Sequence, residues 1–316
     1  MTCIRSRRDL CTAAAAFGLF PAFGSACAAD TLAMKLVLLG TAGGPRPRKT
    51  RSAPAQAILI GDRTYVVDCG DGVARQMVLA DIPLDSLRGV FITHQHSDHT
   101  ADYGNLLLLA WTAGLRSRVD CRGPRPLEKM TKLFFQMNAA DIHTRIKDEG
   151  RTPLEPLIHV RDVAEPGVVF EDDRVRVTAA IVDHPPVVPS FAYRFDSAGR
   201  SVVVSGDTRY SKNLVALAHG ANVLVHEVML IEGVDRLARN VPNAQNLRES
   251  ILSHHTAAAD VGRVASEAGV GKVVLSHFVP AEDPLITEQT WRDAVATHYS
   301  GPVVVGADLM RFEITR

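Results

Sequence analysis

Thr93-His94-Gln95-His96-Ser97-Asp98-His99 decides how the rest of the chain is read. Within six residues it places three imidazoles and one carboxylate, all able to bind a metal. The residues before it, Leu87 to Thr93, are apolar and partly β-branched and predict a buried strand. Those after it, Ala101 to Leu115, are Leu-rich and free of proline and predict a helix. The cluster therefore lies on a strand-to-helix loop, where α/β folds place their chemistry. A lone histidine is more often a packed or surface residue. Three with an aspartate at this spacing point to a metal.

Further along, apolar strands end repeatedly in His or Asp. Arg174 to Val182 runs into Asp183-His184-Pro185-Pro186. Ser201 to Val204 runs into Ser205-Gly206-Asp207-Thr208, Asn222 to Val225 into His226-Glu227, and Lys272 to Leu275 into Ser276-His277. Side chains presented by several strand ends converge at one rim of a sheet. His94 and His96 alternate along an extended segment and reach one metal with His184. Asp98 and His99 reach a second with His277, and Asp207 bridges. Two zinc ions about 3.5–4 Å apart can share such a carboxylate and grip an ester from both sides. Imidazole and carboxylate suit Zn(2+) at two per chain, with Mn or Fe as substitutes.

The other elements follow from periodicity and punctuation. Lys35 to Gly40 reads as a strand, and Ala55 to Ile60 with Thr64 to Asp68 as a hairpin turning at Gly61-Asp62. Val73 to Ala80 reads as a helix, and Val119 to Cys121 as a short strand. Leu127 to Lys147 carries helical spacing throughout, whereas Arg151 to Pro166 reads as a proline-punctuated connector. Val168 to Phe170 and Phe191 to Phe195 are further strands. Asp68 and Asp71 fit either turn chemistry or support for the histidine loop. His143 and His159 have no metal-type neighbours in sequence. No repeat or linker divides residues 34–316, so they count as one domain.

Composition narrows the partners. The 316 residues are 46% hydrophobic and 22% charged, which argues against disorder. A formal net charge of +0 and 6% aromatics give neither a basic field nor a stacking surface, so nucleic acid is not expected as a partner. Residues 1–28 have the parts of an export leader: Arg5, Arg7 and Arg8, then the apolar run Ala13 to Phe20, then Ala26-Cys27-Ala28. Ser6-Arg7-Arg8-Asp9-Leu10 resembles a twin-arginine signal. A periplasmic or secreted protein with no membrane span is expected; a start at Met34 is the alternative. Of five cysteines, only Cys69 and Cys121 lie beyond the leader, and they make no zinc-type pair.

The ordered set Thr93-His94-x-His96-x-Asp98-His99, His184, Ser205-Gly206-Asp207-Thr208 and Leu275-Ser276-His277 resembles the metallo-β-lactamase superfamily. Leu38-Leu39-Gly40-Thr41-Ala42-Gly43-Gly44-Pro45, Val67 to Gly72, His226-Glu227 and His254-His255-Thr256 place the likeness in its ribonuclease Z and secreted arylsulfatase-like branch. The resemblance implies an αβ/βα four-layer sandwich, two mixed β-sheets flanked by helices, with a dinuclear site on one edge. It implies one metal on His94, His96, His184 and Asp207 and another on Asp98, His99, Asp207 and His277. Asp98 would also orient or deprotonate the attacking water. His254 matches the histidine that helps the leaving group, although His255 matches it one position away. His226 and Glu227 would pair beside the site.

For substrate, the expectation is a small anionic ester, a phosphodiester or aryl sulfate. A lactonase or β-lactamase-like hydrolase is one alternative, a ribonuclease Z-type tRNA 3′-processing nuclease a second, and a non-catalytic metal-binding protein a third. Ribonuclease Z enzymes carry a long arm between the third histidine and the bridging aspartate. The short span from His184 to Asp207 leaves no room for it, which counts against the nuclease. The basic run Gly43 to Arg51 reads as a solvated loop or, if it overlies the site, as an anion lure. A homodimer is compatible with the chain.

Overall fold

A computed structural model describes residues 33–316 apart from residue 242. The leader read at residues 1–28 lies outside the described residues. The first sheet holds β1 (Met34–Gly40), β2 (Ala55–Ile60), β3 (Arg63–Val67), β4 (Leu87–Phe91), β5 (Val119–Gly123) and β6 (Ile158–Asp162). With β14 (Arg311–Ile314) its order is β14-β1-β2-β3-β4-β5-β6. The second holds β7 (Gly167–Glu171), β8 (Arg176–Val182), β9 (Ser190–Ser197), β10 (Arg200–Val204), β11 (Val223–Met229), β12 (Val273–Val279) and β13 (Val303–Val305). Its order is β13-β12-β11-β10-β9-β8-β7. In each sheet four strands run parallel, β3 to β6 and β10 to β13, and the rest are antiparallel.

The layers follow from alternation along the strands. Leu36 and Leu38 of β1 pack between the sheets with Phe91, Tyr193 and Phe195, while Val37 and Leu39 face helices on the outside. Those helices include α1 (Val73–Leu79) and α3 (Tyr103–Thr112), which follows the single turn α2 (Ser97–Thr100). Next come α4 (Leu127–Met137) and α5 (Ala139–Glu149). The second sheet is covered by α6 (Lys212–Ala218), α9 (Ala258–Ala268) and α10 (Glu288–Ala296). Between them in the chain, α7 (Ile231–Arg239) and α8 (Leu247–His254) pack on each other and on Met229 and Val279, at the strand ends. The result is the expected sandwich of two mixed sheets flanked by helices.

Contacts between the sheets register the site. Phe91 meets Phe195 edge-on at 5.2 Å between centroids, a geometry worth about 0.5–1.5 kcal/mol beyond burial. Tyr193 Oη donates to the Ile92 carbonyl at 2.9 Å, and the Phe191 amide donates to the Thr93 carbonyl at 2.9 Å. The strand end that carries the histidine loop is thereby tied to the opposite sheet.

Three local expectations change. The helix read over Leu127 to Lys147 is two helices, broken at Asn138, whose side-chain amide donates to the Phe134 carbonyl at 2.9 Å. The apolar spacing continues across the break, so periodicity does not reveal it. The connector Arg151 to Pro166 contains β6, an edge strand that alternates half-buried and exposed residues and pairs with β5 alone. The histidine-loop strand stops at Phe91, and the helix after it begins at Tyr103. The hairpin at Gly61-Asp62 stands as read: Ile60 pairs with Arg63, and Gly61 takes φ 60°, as the first position of a type II′ turn requires. Among the described residues no helix is long and apolar enough to cross a membrane.

Candidate metal centre

The candidate ligands sit on the loop after β4 and the single turn α2, just past β8 and β10, and within β12. Asp68 follows β3 with φ 61° and turns its carboxylate into the histidine loop. Its Oδ1 accepts from the Thr93 amide at 2.8 Å, and its Oδ2 accepts from His99 Nδ1 at 2.8 Å. That bond fixes the His99 ring and leaves Nε2 aimed inward, 3.4 Å from Asp207 Oδ2 and 3.5 Å from Asp98 Oδ2. The supporting role read for Asp68 has this geometry. Asp71 is exposed and takes no part. His184 is held likewise: its Nδ1 donates to the His254 carbonyl at 3.0 Å, and its Nε2 lies 3.2 Å from His96 Nδ1.

Asp207 and His277 depend on unusual backbone. Gly206 has φ 59°, and a Cβ there would stand 2.6 Å from the Phe191 carbonyl oxygen, so glycine is required before Asp207. In β12 the ladder pairs Glu227 with Ser276 and then Val228 with Phe278. His277 is the extra residue of a bulge, at φ 45°, and its side chain turns toward Asp98 and Asp207. No residue pattern announces that bulge.

The donor atoms form three overlapping groups, the third being Asp207, His255 and His277. His94, His96, His184 and Asp207 lie mutually within 4.8 Å, and so do Asp98, His99 and His277. His94 Nε2 is 3.0 Å from His96 Nδ1 and 3.7 Å from Asp207 Oδ2. Ligands about 2.0 Å from a tetrahedral ion stand about 3.3 Å apart, so the spacing fits zinc. Asp207 Oδ2 is also 3.2 Å from His277 Nε2 and 3.4 Å from His99 Nε2, so this carboxylate lies between the two sets of ligands. Buried His99 Nε2 and Asp207 Oδ1 have no hydrogen-bond partner among the described residues, as expected of atoms meant for a cation. His143 and His159 are exposed and stay outside.

The electrostatics suit a cation. Burial holds His94, His96 and His184 below the usual histidine range, keeping their lone pairs free. Burial opposes the charge of Asp98, but His99 and His277 outweigh it and bring the carboxyl to about 2. Asp98 Oδ2 also accepts from the Gly44 amide at 3.0 Å.

The expected His226–Glu227 pair does not form. Neighbours on a strand point to opposite faces, so His226 bonds only the backbone carbonyl of Glu227, at 2.6 Å. The Glu227 carboxylate instead accepts from the Thr208 and Thr256 amides and, at 3.1 Å, from His255 Nδ1. Burial alone would lower His255, but Glu227 holds it up to about 9. Burial and the neighbouring His255 push His254 down to about 3.

Above the ligands is a cleft of about 450 Å³. Arg46 and Arg48 of the basic run line one side, and Leu237, Val241, Leu247 and Ile251 another. Arg51 is committed elsewhere: Nη1 donates to Thr41 and Gly306, and the guanidinium lies 4.2 Å from the Phe278 ring centre. The apolar wall comes from α7, α8 and the segment joining them, which the sequence reading did not reach. Its signal was there in the spacing of Val234 and Leu237, then Leu247 and Ile251. Cys69 and Cys121 are buried free thiols.

Comparison with known proteins agrees with the fold. A β-lactamase superfamily domain model matches residues 63–278. The chain belongs to that superfamily. It is a metallo-β-lactamase-fold enzyme, a metal-dependent hydrolase of ester bonds. A ribonuclease Z of Mycobacterium bovis is 33% identical over 284 residues, 89% of this chain and 98% of that protein. The metallo-beta-lactamase fold protein YhfI from Bacillus subtilis superposes with TM-score 0.65 at 21% identity, covering 89% of this chain and 99% of YhfI. The short form of human tRNase Z superposes with TM-score 0.64 at 20% identity, covering 89% of this chain and 100% of its own. The M. bovis protein aligns along nearly its whole length, so it has no long arm that this chain lacks. The missing arm therefore does not separate the two.

Proposed function

We propose that the chain is a dinuclear zinc phosphodiesterase of the ribonuclease Z type, cleaving RNA at a phosphodiester bond. The observation that carries this is its likeness to a ribonuclease Z along 98% of that protein's length, together with a full set of candidate ligands. This favours nucleic acid as partner over the expectation from composition. His94, His96, His184 and Asp207 would hold one ion, and Asp98, His99, Asp207 and His277 the other. Bound zinc supplies Lewis acidity to water and to the phosphoryl oxygens. Asp98, fixed by the Gly44 amide, orients the attacking water and takes its proton. Arg46 and Arg48 receive the anionic group. The leaving oxygen takes its proton from His255, which Glu227 orients; His254, the first match by resemblance, lacks such a partner and lines the cleft beside it.

The apolar wall favours a second reading, a small anionic ester carrying an apolar group such as an aryl ring. Zinc-loaded protein given a precursor tRNA with a 3′ trailer, a bis-aryl phosphate, an aryl sulfate and a lactone separates the two. RNA cleavage at the trailer is expected. Turnover of only the aryl esters would replace the first reading with the second, and turnover of only the lactone would reject both. The basic and apolar leader supports export to the periplasm or beyond, which would take the enzyme away from precursor tRNA and so goes with the second reading. An intact Met1, or a cytosolic start at Met34, in protein from the native host would reject export.

A further inference from the structure

A second cavity, of about 600 Å³, lies along the open side of the sandwich, between β5 and β6 of one sheet and β7 of the other. It shares no lining residue with the metal cleft. Arg88 precedes His94 by six residues, about 20 Å of extended chain. Arg63, Arg88, Arg118, Arg122 and Arg161 line the cavity against three carboxylates, Asp120, Glu171 and Asp172. The chain as a whole has no net charge, so this is a local excess of cation.

The carboxylates are already engaged. Asp120 accepts from Arg118 Nε and Nη2 and from Arg122 Nη2, each at 2.7 Å. Asp172 accepts from Arg63 Nη1 at 3.0 Å and from Tyr65 Oη at 2.6 Å. Glu171 pairs with Arg176, which does not line the cavity, at 3.3 Å. Arg88 and Arg161 meet no carboxylate among the described residues. Arg88 Nη1 donates to the Asp85 and Leu87 carbonyls, and Arg161 Nη2 to the Val169 carbonyl. Each keeps guanidinium N–H groups free, and a planar fork of such donors fits phosphate oxygens. Phe170 and Val168 add an apolar wall, with Val168 43% exposed. The volume falls in the range of small-molecule sites, about 300–1,000 Å³.

We propose that this cavity is a binding site for a polyphosphate anion, either pyrophosphate or the phosphate end of a nucleotide, held by Arg88 and Arg161. It is separate from the hydrolytic centre and does not depend on which ester that centre cleaves. Asp120 and Asp172 hold Arg118, Arg122 and Arg63 in place around it. Arg88 and Arg161 supply the exchangeable donors.

The test is calorimetric titration of the zinc-loaded chain with pyrophosphate, ADP and sulfate at matched ionic strength. Saturable binding of pyrophosphate or ADP is expected, weakened at least about tenfold in the R88Q/R161Q double variant, a loss of about 1.4 kcal/mol. Ester hydrolysis and the melting temperature of that variant should stay at wild-type values, since no ion pair is broken. The D207A variant, altered only in the metal cleft, should still bind. Tighter binding of ADP than of pyrophosphate assigns Phe170 and Val168 to the nucleoside, and equal binding makes the free anion the ligand. The proposal is overturned if sulfate binds as tightly, if R88Q/R161Q keeps its affinity, or if D207A alone abolishes binding.

Discussion

The two sheets contribute to the metal centre in different ways. The first sheet gives His94, His96, Asp98 and His99 from one short segment, in which Asp68 holds Thr93 and His99 and the Gly44 amide holds Asp98. The second sheet gives His184, Asp207 and His277 from three separate strands. Each of those has its own device: a backbone carbonyl for His184, a left-handed glycine before Asp207 and a bulge at His277. One half is set by neighbours in sequence. The other exists only when distant strands have paired. The loop can therefore be altered locally, whereas damage to the second half passes through the fold.

Asp207→Ala tests this most severely, because its carboxylate lies between the two halves. Turnover should fall on the order of 10³-fold or more, and metal analysis should show loss of zinc from both groups. Full zinc content in that variant would remove Asp207 from its shared role. Chelation by EDTA acts on both halves at once. At a zinc concentration about a thousandfold above Kd, binding contributes about 4 kcal/mol, so the melting temperature should drop on chelation and recover with zinc. No drop would mean that the cage is held by the fold alone.

Asp68→Ala attacks only the loop half. It leaves His99 Nδ1 and the Thr93 amide without their acceptor, and should weaken zinc binding about 10–100-fold while the second sheet keeps its ligands. The smallest effect comes from two glycines. Gly206→Ala should cost about 1–3 kcal/mol, because φ is 59° and the new methyl meets the Phe191 carbonyl. Gly44→Ala, at φ 84° with nothing within 4 Å of the added carbon, should cost about 1 kcal/mol. Equal melting temperatures for the two would mean that close packing behind Asp207 is not what demands glycine there.

The same contrast governs what could be read from the sequence. The histidine loop is contiguous, so its residues reveal their purpose without coordinates. The strands carrying Asp207 and His277 were legible because parallel strands covered on both sides run as uninterrupted apolar stretches. The pairing of Glu227 with His255 was not, since it joins β11 to the end of α8 across 28 positions. Strand β6 was hidden by prolines on either side and by having one partner only. The cleft's apolar wall carried a periodic signal, but nothing in sequence says that it overhangs the ions.

The bulge in β12 sets two demands against each other. A descendant lacking one residue between Leu275 and Val279 would knit an unbroken seam with β11 and lose the twist that delivers an imidazole to the second ion. Along that seam, the loss of one residue would turn every later side chain to the opposite face.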